Sequence, residues 1–91
     1  MEATDIKNLL LQEICLKELY VEGDKKHFRI IAISDIFKSM NRVEKQQVIY
    51  NPLMKYITNN QIHALSIKTY TPEEWFQQLD LMGSLSSVDK L

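Results

Sequence analysis

Residues 16–34, LKELYVEGDKKHFRIIAIS, contain two strand-like patterns on either side of one turn. Apolar and polar residues alternate over 16–22, with Leu19 on the apolar face, and this period of two is typical of a strand. Residues 27–34 are apolar on both faces and rich in β-branched side chains, which indicates a central strand covered on both sides. Gly23 begins the turn because glycine readily adopts positive φ. The stretch therefore predicts an antiparallel hairpin whose second strand lies inside the sheet.

A helix is predicted before the hairpin. Residues 5–14 carry apolar side chains at helical spacing, and Thr4 is the expected N-cap. Cys15 follows this helix as the single cysteine of the chain, so no disulfide can form within the chain. We expect a small buried or half-buried thiol there, because free cysteine behaves as a small hydrophobe.

The connection after the hairpin is predicted to be helical. Ser34 can cap a short helical turn at 36–40, and residues 42–58 form the main helix. Its apolar side is expected to comprise Val43, Tyr50, Leu53, Met54 and Ile57. Pro52 removes one backbone donor, so the sequence predicts a kink or a break, with Asn51 as the possible cap of a restarted helix.

The last predicted strand spans 62–70 and is followed by the spacing of a capping box at Thr71 and Glu74. The helix after it carries Trp75, Phe76 and Leu79. We expect one domain over 1–82 and a flexible tail at 83–91, which is serine-rich.

The element order α-β-β-α-α-β-α predicts an α+β fold with a three-stranded mixed sheet. A strand, a helical crossover and another strand are expected to be parallel neighbours, so His27 and His63 would open adjacent strands at one edge. Two interpretations of His63 remain open: a ring at the edge of the core, sharing a strand face with Leu65, or a metal ligand. Two histidines do not complete a metal site, so further ligands would come from an interface.

Composition narrows the functional classes. The chain has 91 residues, 45% of them apolar, and a net charge of −1, which argues mildly against a dedicated nucleic-acid binder. Apolar runs are too short to span a bilayer and no signal peptide is evident, so we expect a cytoplasmic protein. No sequence motif of a nucleophile, phosphate loop or dinucleotide site is present, and we expect no enzymatic activity. Four cationic residues are candidates for phosphate contacts, with a solvated surface as the alternative: Arg42, Lys45, Lys55 and Lys68.

Three segments together resemble the BolA family: HFRIIAISDIF at 27–37, RVEKQQVIYNPLMKYI at 42–57 and IHALSIKTYTPEEW at 62–75. The turn VEGDKKHF is similar to that of the IbaG/YrbA-like bacterial branch. The resemblance implies a fold like the type II KH domain, with a three-stranded mixed sheet and helices on one face. It also implies a link to transcription regulation and the stress response, although 38–41 lack the glycines of the KH backbone clamp.

The resemblance further implies a partner and a cofactor. BolA-like proteins associate with monothiol glutaredoxins and share a bridging [2Fe–2S] cluster, for which the partner gives a cysteine thiolate and carries glutathione. By this resemblance the cluster ligands are His63 and, in the turn region, His27. Our first hypothesis is an iron–sulfur adaptor, monomeric or weakly dimeric when alone. The second is a DNA-binding regulator, and the third is a plain interaction domain.

Overall fold

The computed structural model describes residues 1–24 and 26–79. Its helices are α1 (Ala3–Glu13), α2 (Arg42–Tyr50), α3 (Met54–Thr58) and α4 (72–79), its strands are β1 (Glu18–Asp24), β2 (His27–Ile33) and β3 (Ala64–Tyr70), and 3₁₀ turns span Asp35–Ser39 and Asn51–Leu53. The predicted order of helices and strands is confirmed. The predicted tail at 83–91 lies outside the described residues.

The sheet has the order β1-β2-β3, with β2 in the centre. β1 pairs with β2 in antiparallel fashion, from Glu18 opposite Ile33 to Asp24 opposite His27. β2 pairs with β3 in parallel, beginning with His27 opposite Ala64. Gly23 has φ 132°, in the region that favours glycine. The predicted hairpin, the central position of the second strand and the parallel crossover are confirmed. Two details are wrong: Gly23 lies within β1, opposite Phe28, and does not begin the turn, and β2 is not covered on both sides, because the Arg29 side chain is 72% exposed.

One apolar core joins α1, α2 and the turn before α3 to one face of the sheet. The strands contribute Leu19, Phe28, Ile30 and Ala32, and the helical segments contribute Ile6, Leu10, Phe37, Ile49 and Leu53. Burying a large apolar side chain contributes about 1.5–3 kcal/mol, so this face stabilises the sheet. The α+β class with a three-stranded mixed sheet is confirmed.

The last helix differs from the expectation that the helices lie on one face. Tyr20 and Tyr70 project from the face opposite Leu19, because side chains alternate along strands. The Trp75 ring in α4 lies against both, with centroid distances of 5.7 Å to Tyr20 and 5.3 Å to Tyr70. α1 and α2 therefore cover one face, whereas α4 packs at the end of the other.

At Pro52 the main helix continues as a 3₁₀ turn and does not end. The backbone of Tyr50 and Asn51 stays in the α region, so Asn51 is not the cap of a restarted helix. The expected apolar side is wrong in part: Val43 is 62% exposed, whereas Ile49 is fully buried. The 3₁₀ turn at Pro52 has fewer residues per turn than an α-helix, so the side chains of α2 and α3 do not form one continuous apolar stripe.

Two predictions near the first helix are wrong. α1 begins at Ala3, where the Asp5 carboxylate accepts a hydrogen bond from the Glu2 backbone N–H at 2.8 Å, so Thr4 is not the N-cap. Cys15 is exposed. The backbone is already extended at Ile14, and consecutive side chains in an extended segment point in opposite directions, so the thiol faces outward.

The other predicted helix boundaries are confirmed. The Ser34 hydroxyl accepts from the Ile36 backbone N–H at 3.3 Å. In the capping box, the Glu74 carboxylate accepts from the Thr71 N–H at 2.8 Å and the Thr71 hydroxyl accepts from the Glu74 N–H at 3.3 Å. Asn60 has φ 68°, a left-handed conformation that commonly follows the end of a helix. No helix in the described ranges is long and apolar enough to cross a membrane.

Candidate functional site

The two histidines lie side by side at one edge of the sheet. His27 is the first residue of β2, and His63 directly precedes β3. Because His27 is opposite Ala64 in the parallel ladder, the two segments that carry the histidines enter the sheet at the same level. The ring centroids are 5.8 Å apart, with an angle of 39° between the ring planes. Both residues are exposed. The sequence prediction that topology brings these two rings together is confirmed.

Backbone contacts on both sides hold His63 in place. The Lys26 carbonyl accepts hydrogen bonds from the His63 N–H at 2.7 Å and from the Ala64 N–H at 3.0 Å. On the other side Ile62 is buried, and its N–H donates to the Tyr56 carbonyl at 3.0 Å. The strand therefore begins at Ala64 and not at Ile62.

The structure places His63 just before β3. Leu65 is half-buried, but His63 stands outside the strand and is exposed. The expectation that His63 lies within the strand, on one face with Leu65, is wrong, because β3 begins at Ala64. The metal-ligand interpretation stays a prediction. Both histidines are on a surface that an incoming molecule can reach.

The spacing of the two rings suits a shared metal. Two imidazoles bound to one tetrahedral iron through nitrogen, at about 2.1 Å, would have ring centroids on the order of 5 Å apart. The observed 5.8 Å differs from that by less than a change of side-chain rotamer can provide. Within 1–24 and 26–79, no group of three or more His, Cys, Asp or Glu side chains could hold a metal ion. The pair therefore fits as part of a ligand set completed by another molecule.

The four predicted phosphate-contacting residues separate into two places. Arg42, Lys45 and Lys68 line one surface cavity between the start of α2 and β3. Lys55 is elsewhere: its ammonium lies over the Tyr56 ring, 5.1 Å from the centroid. In the described part of the chain, none of the four forms an ion pair with a carboxylate. Three of the four predicted cationic residues therefore form a cluster, which we call the basic cluster.

Three exposed side chains that lie away from the histidines have shifted pKa values, caused by ion pairs and hydrogen bonds. A hydrogen bond to Glu18 is the main cause of the raised pKa of Tyr20. Lys38 bridges Glu73 at 3.1 Å and Asp35 at 3.2 Å, and these carboxylates raise its pKa. The pKa of Glu73 is lowered, first by a backbone N–H and then by Lys38. These contacts connect the turn after β2 to α4.

Sequence reasoning missed the Lys26 carbonyl as the group that fixes His63. A backbone carbonyl has no signature in the amino-acid code, and only the parallel pairing brings the hairpin turn next to the start of β3. The Trp75 packing against Tyr20 and Tyr70 was also missed. The alternation in β1 could have indicated this packing, because it places the Tyr20 ring on the face opposite Leu19, where another apolar side chain is needed to cover it.

Comparison with known proteins agrees with this fold. The family model described as BolA-like protein matches residues 12–74. The acid stress protein IbaG of Escherichia coli strain K12 is 48% identical over 83 residues, covering 91% of this chain and 99% of that protein. The DNA-binding transcriptional regulator BolA of Haemophilus influenzae is 39% identical over 56 residues, which is 62% of this chain and 53% of that protein.

A solved structure extends the agreement to three dimensions. BolA1 from Arabidopsis thaliana matches with a TM-score of 0.70 at 30% identity, over 79% of this chain and 93% of that one. The match in fold accompanies a match in sequence over most of both chains. The chain belongs to the BolA-like protein family, in its IbaG/YrbA-like branch.

Proposed function

We propose that this chain is a non-enzymatic adaptor in iron–sulfur cluster assembly or trafficking. It binds a monothiol glutaredoxin and shares a bridging [2Fe–2S] cluster with that partner. The observation that supports the proposal is the exposed pair of imidazoles, 5.8 Å apart, at one edge of the sheet. A closed metal site would need no partner, whereas a two-ligand half-site needs one.

Each residue of the pair has a distinct part in this proposal. His63, fixed between the Lys26 carbonyl and buried Ile62, offers an imidazole nitrogen from a rigid backbone. His27 offers the second nitrogen from the end of the hairpin turn. The partner and its glutathione contribute thiolates. When bound, the cluster supplies redox-active iron, whose potential is higher with imidazole ligands than with thiolates alone.

Acid is expected to weaken the proposed complex. Iron binds neutral imidazole, so a proton on the metal-binding nitrogen competes directly with ligation. Both histidines are exposed, so the proposed site is open to solvent. Loss of the cluster on acidification would give this chain a role in the stress response, and the E. coli relative is named an acid stress protein.

The test is co-expression with a monothiol glutaredoxin, followed by anaerobic purification and analysis of iron and sulfide. His63→Ala is expected to reduce cluster retention, because it removes the better-fixed ligand. Gln61→Ala, at an exposed neighbouring position, is the matched control and should behave as the unmodified chain. An unchanged visible spectrum and an unchanged rate of cluster loss in His63→Ala would contradict the proposal.

A second candidate function is a DNA-binding transcriptional regulator. The specific support is the basic cluster, where Arg42, Lys45 and Lys68 line one cavity. Cationic side chains grouped in this way can neutralise successive phosphates. The H. influenzae relative is named a DNA-binding transcriptional regulator. The net charge of −1 limits the expected affinity, so the salt dependence of binding is the decisive measurement.

A further inference from the structure

The hairpin that carries His27 leaves no room for a side chain at Gly23. Asp24 pairs with His27 and Gly23 pairs with Phe28, so only residues 25 and 26 connect the two strands. Gly23, with φ 132°, lies directly against the peptide between His27 and Phe28. A Cβ at Gly23 would overlap the His27 carbonyl oxygen and would lie 2.8 Å from the Phe28 Cα. Any side chain here must displace the backbone of His27.

The size of that displacement can be compared with the tolerance of a metal site. Carbon atoms in contact are about 3.5–4.0 Å apart, so the 2.8 Å approach to Phe28 requires a movement on the order of 1 Å. Metal–ligand distances are maintained to about 0.2 Å in a functional site. Backbone atoms produce the overlap, and they cannot rotate away as a flexible side chain would. The movement is several times that tolerance, so the pair would bind a metal less tightly through both rings.

His63 does not depend on Gly23 in the same way. Its N–H binds the Lys26 carbonyl, but its chain is also anchored by buried Ile62 in the core. A displaced hairpin would therefore move His27 relative to His63. We propose that Gly23 is a positioning residue that sets the distance between the His27 and His63 rings. The relevance to cluster binding depends on the proposed function, whereas the geometry itself can be tested without a partner.

The test titrates the tag-free full chain with NiCl₂ and measures affinity by calorimetry, because imidazole binds Ni²⁺ well. Gly23→Ala is expected to lose roughly 10- to 100-fold in affinity, the usual effect of disturbing a group that orients a ligand, and to approach His27→Ala. The matched control is Glu22→Ala, the preceding hairpin residue, whose exposed carboxylate pairs with Arg29 at 2.8 Å and overlaps no backbone. It should keep the original affinity. Amide spectra of each variant establish that the fold is retained.

Two results would overturn the positioning role. One is Gly23→Ala binding Ni²⁺ as tightly as the unmodified chain, and the other is an unmodified chain that binds no tighter than His27→Ala. If Gly23→Ala does not fold, a proton NOE between the Gly23 and Phe28 Hα atoms in the unmodified chain tests the close approach, and its absence overturns the role. Iron and sulfide in the co-expressed complex test the cluster separately: their absence removes the proposed function, while the Ni²⁺ result still decides the role of Gly23.

Discussion

Removing Lys68 from the basic cluster should reduce the salt dependence of duplex DNA binding. Each phosphate neutralised on duplex DNA contributes about −0.9 to the slope of log affinity against log salt. If Arg42, Lys45 and Lys68 each contact one phosphate, the slope is about −2.7, and affinity falls about 40-fold between roughly 50 and 200 mM salt. Without Lys68 the slope becomes about −1.8, and the same change in salt lowers affinity only about 12-fold.

The structure provides two controls for this measurement. Lys55→Ala removes the same charge from a different surface, beside the Tyr56 ring, and should leave the slope unchanged. His63→Ala should also leave it unchanged, because Lys68 lies four positions beyond Ala64 along β3, about 13 Å away at roughly 3.3 Å per residue.

Fluorescence anisotropy with a labelled duplex, at four or more salt concentrations, gives each slope directly. A slope near zero in the unmodified chain would refute the DNA-binding function. If Lys68→Ala and Lys55→Ala reduced the salt slope equally, the basic cluster would also be refuted as the DNA-binding surface. Such a result would indicate an effect of total charge that does not depend on position.

Three further predictions concern stability, measured by urea unfolding with the fluorescence of the single tryptophan. Thr71→Ala should cost about 1 kcal/mol, because it removes the cap of α4; no shift of the midpoint would contradict this. Leu53→Ala should cost about 2–5 kcal/mol, since the side chain is fully buried, whereas its exposed neighbour Met54→Ala should cost less than about 1 kcal/mol; equal costs would contradict the packing. The pKa of Glu73 is lowered in the folded chain, so its stabilisation is present above the ordinary value of 4.5 and is lost as pH falls through the lowered pKa. Lys38→Met should weaken this acid-limb dependence of the urea midpoint without abolishing it, because the backbone N–H remains as the larger cause of the lowered pKa; an unchanged pH profile would show that the pair contributes nothing.

Local periodicity and chain connectivity were sufficient to predict the sheet. Alternation around Leu19 and the apolar run in β2 specify a hairpin, and the helical crossover then makes β3 a parallel neighbour. The adjacency of His27 and His63 follows from that topology alone. It needed no knowledge of packing, because parallel strands joined by a crossover begin at the same edge.

The orientation of the helices could not be obtained in the same way. Val43 and Ile49 are both apolar, yet the first is exposed and the second is buried. Which side of α2 faces the sheet depends on contacts such as the hydrogen bond from the Gln46 amide to the Ile67 carbonyl at 3.2 Å. That contact joins residues 21 positions apart, so no local pattern reports it. The position of α4 on the other face depends in the same way on distant partners, the rings of Tyr20 and Tyr70.

Gly23 illustrates how a correct sequence interpretation can be incomplete. The sequence predicts positive φ at Gly23, and the structure confirms this, although Gly23 lies within β1 and not in the turn. The prediction explains only the backbone conformation of Gly23 itself. The close approach to the His27 carbonyl adds a second requirement, which concerns the position of a neighbour. By the proposed positioning role, two histidines alone are not sufficient for a paired site in this fold. A chain that kept both rings but carried a side chain at position 23 would lose the spacing, and its affinity for Ni²⁺ would be that of one imidazole.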